Sequence, residues 1–309
     1  MWEETQRFQK ALPMLNAPEK QIIEVIAYFS FFGYPLTAFE IWKWLRTLDI
    51  SFEEVLQILE SNTISCIAHE GLYWGLGDLK TQILDRHDRY VNAMQKERRA
   101  RRVLFYLSKI PWVRGVALCN NLPLHFTRPE SDIDFFVLVH RNRVWSARLM
   151  AVLPLMLLRL RPHETKRNPV DVSFFADSDA EDFSMLRLEG GDPYLSTWMQ
   201  SLVPVYEREP GVFDAFFKKN RWAGVELPHA GYGWRCARMK KTRSWFLPSL
   251  CPERLAAWVQ TRWLPRDITS IANQSSNVLI NDHMLKFHLN DRRQDVRDHI
   301  ARLCQQNGY

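Results

Sequence analysis

Cysteine is scarce in this sequence and nothing pairs it: Cys66, Cys119, Cys236, Cys251 and Cys304 are spread over 309 positions. Their odd number and the lack of any CxxC pair argue against a disulfide framework and against a zinc ribbon. A secretory leader is also lacking, because the opening "MWEETQRFQK" is polar and has no apolar core. The one long apolar run, "LMAVLPLMLL" at 149–158, holds Pro154 and lies between Arg148 and Arg159. A membrane span needs about 20 such residues, so this run reads as a buried helix. No internal repeat and no low-complexity tract is visible. Together these absences predict a reduced, cytoplasmic protein without membrane contact. With 46% hydrophobic and 25% charged residues, the composition is that of a globular chain with room for two or three domains.

Positive charge is in excess, and it is concentrated. The formal net charge is +6, and between Arg86 and Lys109 eight basic residues (Arg86, Arg89, Lys96, Arg98, Arg99, Arg101, Arg102, Lys109) face only Asp88 and Glu97. A segment of that density attracts phosphates, which makes RNA a candidate partner along 86–109; the plainer reading is a solvated helix face.

The order of elements predicts an α+β chain in three parts. Residues 1–80 read as a winged-helix-like unit. "EKQIIEVIAYFSFFG" has helical apolar spacing, "TAFEIWKWL" and "SFEEVLQILES" open with Thr37/Glu40 and Ser51/Glu54 in capping-box register, and "ISCIAHEGLYWGL" offers two strands around Gly71. The third helix carries Glu53, Glu54 and Glu60 and no Lys or Arg, which disfavours a seat against DNA phosphates. Residues 81–185 begin with the long basic helix 81–108. Strand 113–121, a short helix starting within 122–127, strand 132–140, helix 143–160 and strand 170–176 follow, giving a small mixed sheet. Residues 186–309 read as helical, with Asp192 as N-cap before Pro193 and a strand in "SNVLIND" at 276–282.

The chemistry centres on "SDIDFFVLVH" at 131–140. Residues two apart on a strand share a face, so Asp132 and Asp134 present their carboxylates side by side. Two such groups repel unless a cation intervenes, and Mg²⁺ (or Mn²⁺) takes carboxylate oxygens while keeping positions for phosphate and water. Asp171 in "PVDVSFF" supplies a third acid, with Val170, Val172 and Phe174 expected on the opposite face. Three clustered carboxylates suit metal ions that clamp a triphosphate during in-line displacement. Capping or solvent-facing acids are the bland alternative. Arg143 and Arg148, near the start of the following helix, are within reach of a nucleotide phosphate on this reading. His283 and His288, five apart on a strand-to-loop segment, face apart and make poor partners in a metal site.

The stretch from Val113 to Asp134, with Asp171 beyond it, resembles the nucleotidyltransferase superfamily typified by DNA polymerase beta. The family pattern is a strand ending in Gly-Ser, a spacer of about ten residues, Asp-x-Asp on the next strand and a later acid on a neighbouring strand. Here Asn120-Asn121 stands at the Gly-Ser position, 122–131 is the spacer and "DID" follows. The order of the three parts, with "KNRW" at 219–222 and "FHLNDRRQ" at 287–294, looks like a group of bacterial proteins predicted to be such enzymes. The resemblance implies a nucleotidyltransferase fold, NTP as substrate, and metal held by Asp132, Asp134 and Asp171, with Asp171 helping to deprotonate the acceptor hydroxyl. Asn120, Asn121 and Ser131 would then contact the nucleotide. Asparagine tolerates the left-handed region that glycine would occupy, and its amide donates as serine would. The departure from Gly-Ser leaves a second expectation open: a catalytically degenerate regulator that binds nucleic acid or a protein partner.

Overall fold

The computed structural model describes residues 16–47, 49–162, 164–165, 168–231 and 251–306. Helices α1 (Ala17–Ser30), α2 (Ala38–Lys43) and α3 (Phe52–Glu60) each begin with a reciprocal cap: Asn16 with Glu19, Thr37 with Glu40, and Ser51 with Glu54. Each cap satisfies amides that the first turn leaves unpaired and is worth about 1 kcal/mol. Strands β1 (Ala68–Glu70) and β2 (Tyr73–Gly75) pair antiparallel around Gly71, whose φ of 61° favours glycine. Three helices and a hairpin therefore stand in the expected order. Their core is not closed on itself, however. Phe126, Leu227, Ala230 and Val296 complete the cluster built on Ile22, Phe29, Leu36 and Trp44.

Helix α4 (Leu79–Leu107) carries the basic run. Half of that charge is used internally. Arg86 forks onto Glu40 and bonds the Pro35 carbonyl, Arg89 bonds the Phe32 carbonyl and pairs with Asp85, and Lys96 and Lys109 are buried. Arg98, Arg101 and Arg102 are exposed and Arg99 is half-buried.

A six-stranded sheet forms the centre, built from β3 (Val113–Leu118), β4 (Ile133–Val139), β5 (Val170–Asp177), β6 (Val203–Glu207), β7 (Val278–Ile280) and β8 (Met284–Phe287), in the order β6-β3-β4-β5-β8-β7. Only β4 and β5 run parallel, joined by α5 (Val144–Leu157), because a parallel pair requires a crossover. All seven residues of β4 are buried, since both faces of the sheet are covered. On one face Ile133, Phe135 and Val137 meet α4, α5 and α9 (Glu253–Trp263). On the other, Phe136 and Leu138 meet α6 (Pro193–Ser201), α7 (Val212–Lys219) and α8 (Arg221–Glu226). Helices α10 (Arg266–Ile271) and α11 (Arg293–Gln306) bring the count among the described residues to eleven. None of these is long and apolar enough to cross a membrane.

Several expectations are corrected. The strand expected within 276–282 is β7, but the region 186–309 also supplies β6 and β8, so it extends the sheet on both sides rather than being helical. Asp192 caps α6 as expected, but the helix stops at Ser201 and "VPVYE" pairs with β3. Residues 122–125 form successive turns and no helix starts within 122–127, with His125 at a φ of 57°. Phe174 does not lie opposite Asp171. The register shifts between the Asp134↔Asp171 and Phe136↔Phe174 pairs, and the extra residue on β5 carries Phe174 round to the face of Phe136.

Candidate metal centre

The parallel pairing of β4 and β5 sets Asp134 directly beside Asp171, and Asp132 precedes β4 by one residue. Ligand oxygens of all three lie within 4.8 Å of one another. The sequence could place two of these acids on one face; the strand register decides that the third joins them.

Burial first, then Asp171 and Asp132, pushes the Asp134 carboxyl well above the usual carboxylate range. Burial also raises Asp171, to about 6, against a hydrogen bond from Ser173 Oγ at 2.7 Å. Among the described residues no arginine or lysine pairs directly with either group. Two buried like charges in this state match a hard dication in donor type, in spacing and in unmet charge, so the residues fit Mg²⁺ or Mn²⁺.

Asn120 takes the turn after β3 at a φ of 59°, the left-handed conformation expected where a glycine would stand. Its Oδ1 accepts from Trp198 Nε1 at 2.8 Å, and its side chain hydrogen-bonds Asp134. The Asn120 amide is thus committed inside the protein. Asn121 is exposed at the edge of the same cleft. Ser131 also borders it, with Oγ accepting from the Arg128 amide at 2.9 Å.

In the sequence Lys96 reads only as part of the basic run, yet it serves the site. From α4 its Nζ donates to the carbonyls of Ser131 (2.8 Å) and Pro129 (3.2 Å) and to Asn168 Oδ1 (2.7 Å). It fastens both loops that lead into β4 and β5. Burial lowers it to about 8, and the charge of Asp132 works against that fall. The signal lay in helical phase: Lys96 shares the apolar stripe of Ala93, Ala100 and Leu104, a place where an unpaired lysine is costly.

The two arginines separate. Arg143 sits beyond the far end of β4, with its guanidinium 5.4 Å from the Trp112 ring, and is not brought to the carboxylates. Seven strand residues, roughly 23 Å, intervene. Arg148 lies nearer, 4.5 Å over the Phe287 ring, with Nη1 bonded to Gln260. Burial lowers it to about 10 while the charge of Asp171 supports it.

The three acids open into a cleft of about 610 Å³ that draws on four parts of the chain. Phe31 and Phe32 come from the end of α1, Asn120 and Phe126 from the spacer region, Tyr194 from α6, and His288, Asn290 and Arg292 from the segment after β8. The "FHLNDRRQ" stretch thus divides its labour: Phe287, His288, Asn290 and Arg292 line the cleft, while Arg293 turns inward. His288 is lowered to about 4 by burial. As expected, it does not join His283; the latter meets Asp177 and Asp179 at the other end of β5.

The chain matches no protein-family model, no curated protein and no solved structure.

Proposed function

We propose that this chain is a metal-dependent nucleotidyltransferase, moving a nucleoside monophosphate from an NTP to an acceptor hydroxyl with release of pyrophosphate. The observation that carries the reading is the mutually repelling trio of buried Asp134 and half-buried Asp132 and Asp171 at the mouth of a 610 Å³ cleft. The parallel β4–β5 pair, beside a β3 that ends in the positive-φ turn at Asn120, supports the nucleotidyltransferase fold. The three-helix unit with its hairpin supports the winged-helix assignment, although acidic α3 argues against reading a DNA groove.

On this reading Asp132, Asp134 and Asp171 hold Mg²⁺ or Mn²⁺, which when bound neutralises the triphosphate and polarises the transferred phosphoryl group. Lys96 fixes the loops that carry the acids. Asp171, on β5, takes the proton from the acceptor hydroxyl. The turn at Asn120-Asn121 offers backbone N–H groups to phosphate, and Ser131 borders the same space. The acceptor is a hydroxyl on RNA, a protein or a small molecule; exposed Arg98, Arg101 and Arg102 favour RNA.

The degenerate-regulator reading has one observation in its favour. The Asn120 side chain, at the position of a phosphate-binding turn, is tied to Trp198 and Asp134. Incubation with each α-labelled NTP, Mg²⁺ or Mn²⁺, and separated cell RNA, protein and metabolite fractions tests the choice. Label transfer that disappears in Asp134→Asn supports the enzyme. Metal-dependent NTP binding without transfer to any fraction supports the regulator.

A further inference from the structure

Two adjacent arginines in the segment after β8 have opposite fates. Arg293 is buried and saturated. It donates to Asp291, Asp192, the Leu186 carbonyl, Ser276 Oγ and Asn277 Oδ1, and so anchors the start of α11 to the sheet edge and to α6. Arg292 is exposed at the cleft, and among the described residues no carboxylate pairs with it. Its guanidinium lies 4.4 Å over the ring of Phe31, at the end of α1.

A guanidinium stacked by its face keeps its in-plane N–H groups for a ligand, and the ring limits the orientations it must give up on binding. The platform is itself held. Phe31 packs edge-on against His299 of α11 at 5.4 Å, and His299 Nε2 lies 3.0 Å from Ser30 Oγ. Burial first, then the charge of Asp134, raises the Tyr194 phenol, and Arg292 works against that rise. The arginine and the three carboxylates line one cleft.

We propose that Arg292, stacked on Phe31, is a phosphoanion-binding residue that faces the Asp132–Asp134–Asp171 cluster across the cleft and contacts the terminal phosphates of the nucleotide. The assignment rests on the nucleotidyltransferase reading for the identity of the ligand, not for the anion site itself. It also gives the N-terminal helices a task at the cleft: they supply the surface that presents this arginine.

The test is displacement of a fluorescent NTP analogue by ATP, ADP and AMP with Mg²⁺, together with calorimetry using inorganic tripolyphosphate. Wild type is expected to prefer ATP to AMP, and Arg292→Gln to lose about tenfold of that preference, the equivalent of about 1.4 kcal/mol. Arg292→Lys keeps the charge without the fork and is expected to fall between the two. Phe31→Leu is expected to weaken ATP more than AMP. Equal losses for ATP and AMP, or no loss, in a folded Arg292→Gln protein overturn the proposal. If Asp134→Asn loses NTP while Arg292→Gln does not, the transferase reading stands and this inference fails. If tripolyphosphate binding depends on Arg292 but no NTP binds, the anion site stands and the transferase reading fails.

Discussion

Two acidic clusters occupy opposite ends of β5, and both bring three ligand atoms within 4.8 Å. At the far end Asp177 is fully buried and satisfied. It accepts from the Asn142 and Asp179 amides at 2.8 and 2.9 Å, and His283 Nδ1 lies 3.0 Å away. Asp179 pairs with Arg141 at 2.6 Å. At the near end the bonds to Asp134 and Asp171 come from neutral side chains, while the acids repel each other. Proximity alone does not distinguish these clusters. What separates them is whether the surrounding chain has already met the charge: Asp177 and Asp179 have cationic or amide partners, whereas among the described residues no lysine or arginine bonds Asp134 or Asp171.

That contrast is sharpest in stability. Asp177→Ala strands two amides and a histidine, and is expected to cost about 4 kcal/mol. In thermal melts this would appear as a fall of roughly 8–16 °C. Asp134→Asn should leave the metal-free melting temperature unchanged or higher, because it relieves a like-charge contact. If both variants fall alike, the distinction is gone.

Acidity is the next lever. Asp171 is raised to about 6 from 3.8, so the native state holds its proton more tightly than the unfolded chain does. The stabilisation is fully present below pH 3.8 and lost as pH rises through about 6, a change of up to about 3 kcal/mol. Metal-free protein should therefore lose stability between pH 4.5 and 7 relative to Asp171→Asn, and saturating Mg²⁺ should remove the difference. Parallel pH profiles for the two metal-free proteins would contradict the assignment.

Ligand binding comes third. Asp132→Asn and Asp134→Asn are each expected to weaken Mg-NTP at least hundredfold, about 2.7 kcal/mol. Asp177→Asn should bind within twofold of wild type. Calorimetry showing equal binding in all four proteins would remove the metal centre.

The smallest effect belongs to α4. With four of the eight basic residues of 86–109 turned inward, that run can meet at most four phosphates, a limiting slope of about −3 in log affinity against log salt for single-stranded RNA. Replacing Arg98, Arg99, Arg101 and Arg102 by Gln should flatten that slope and leave Mg-NTP binding intact. A steeper wild-type slope would mean that other cations take part. Glu181 does not pair with these arginines, because it holds Arg114 and Lys219.

The sequence by itself determined the local elements, because their causes are local. Capping boxes start α2 and α3, Gly71 turns the hairpin, and alternation and burial define β4 and β5. It also determined that Asp132 and Asp134 belong together and that Asn120 can hold a left-handed turn. Tertiary structure decided everything that depends on which strands and helices meet. The β4–β5 register brings Asp171 to the pair, and the extra residue on β5 moves Phe174 across the sheet. Burial converts half of the basic run 86–109 into internal staples, Lys96 among them, and the length of β4 separates Arg143 from the cleft. The stacking of Arg292 on Phe31 joins residues 261 positions apart, and no period or propensity encodes such a distance. Charge and helical phase are written residue by residue, but the partner that satisfies a charge is chosen only when distant segments pack.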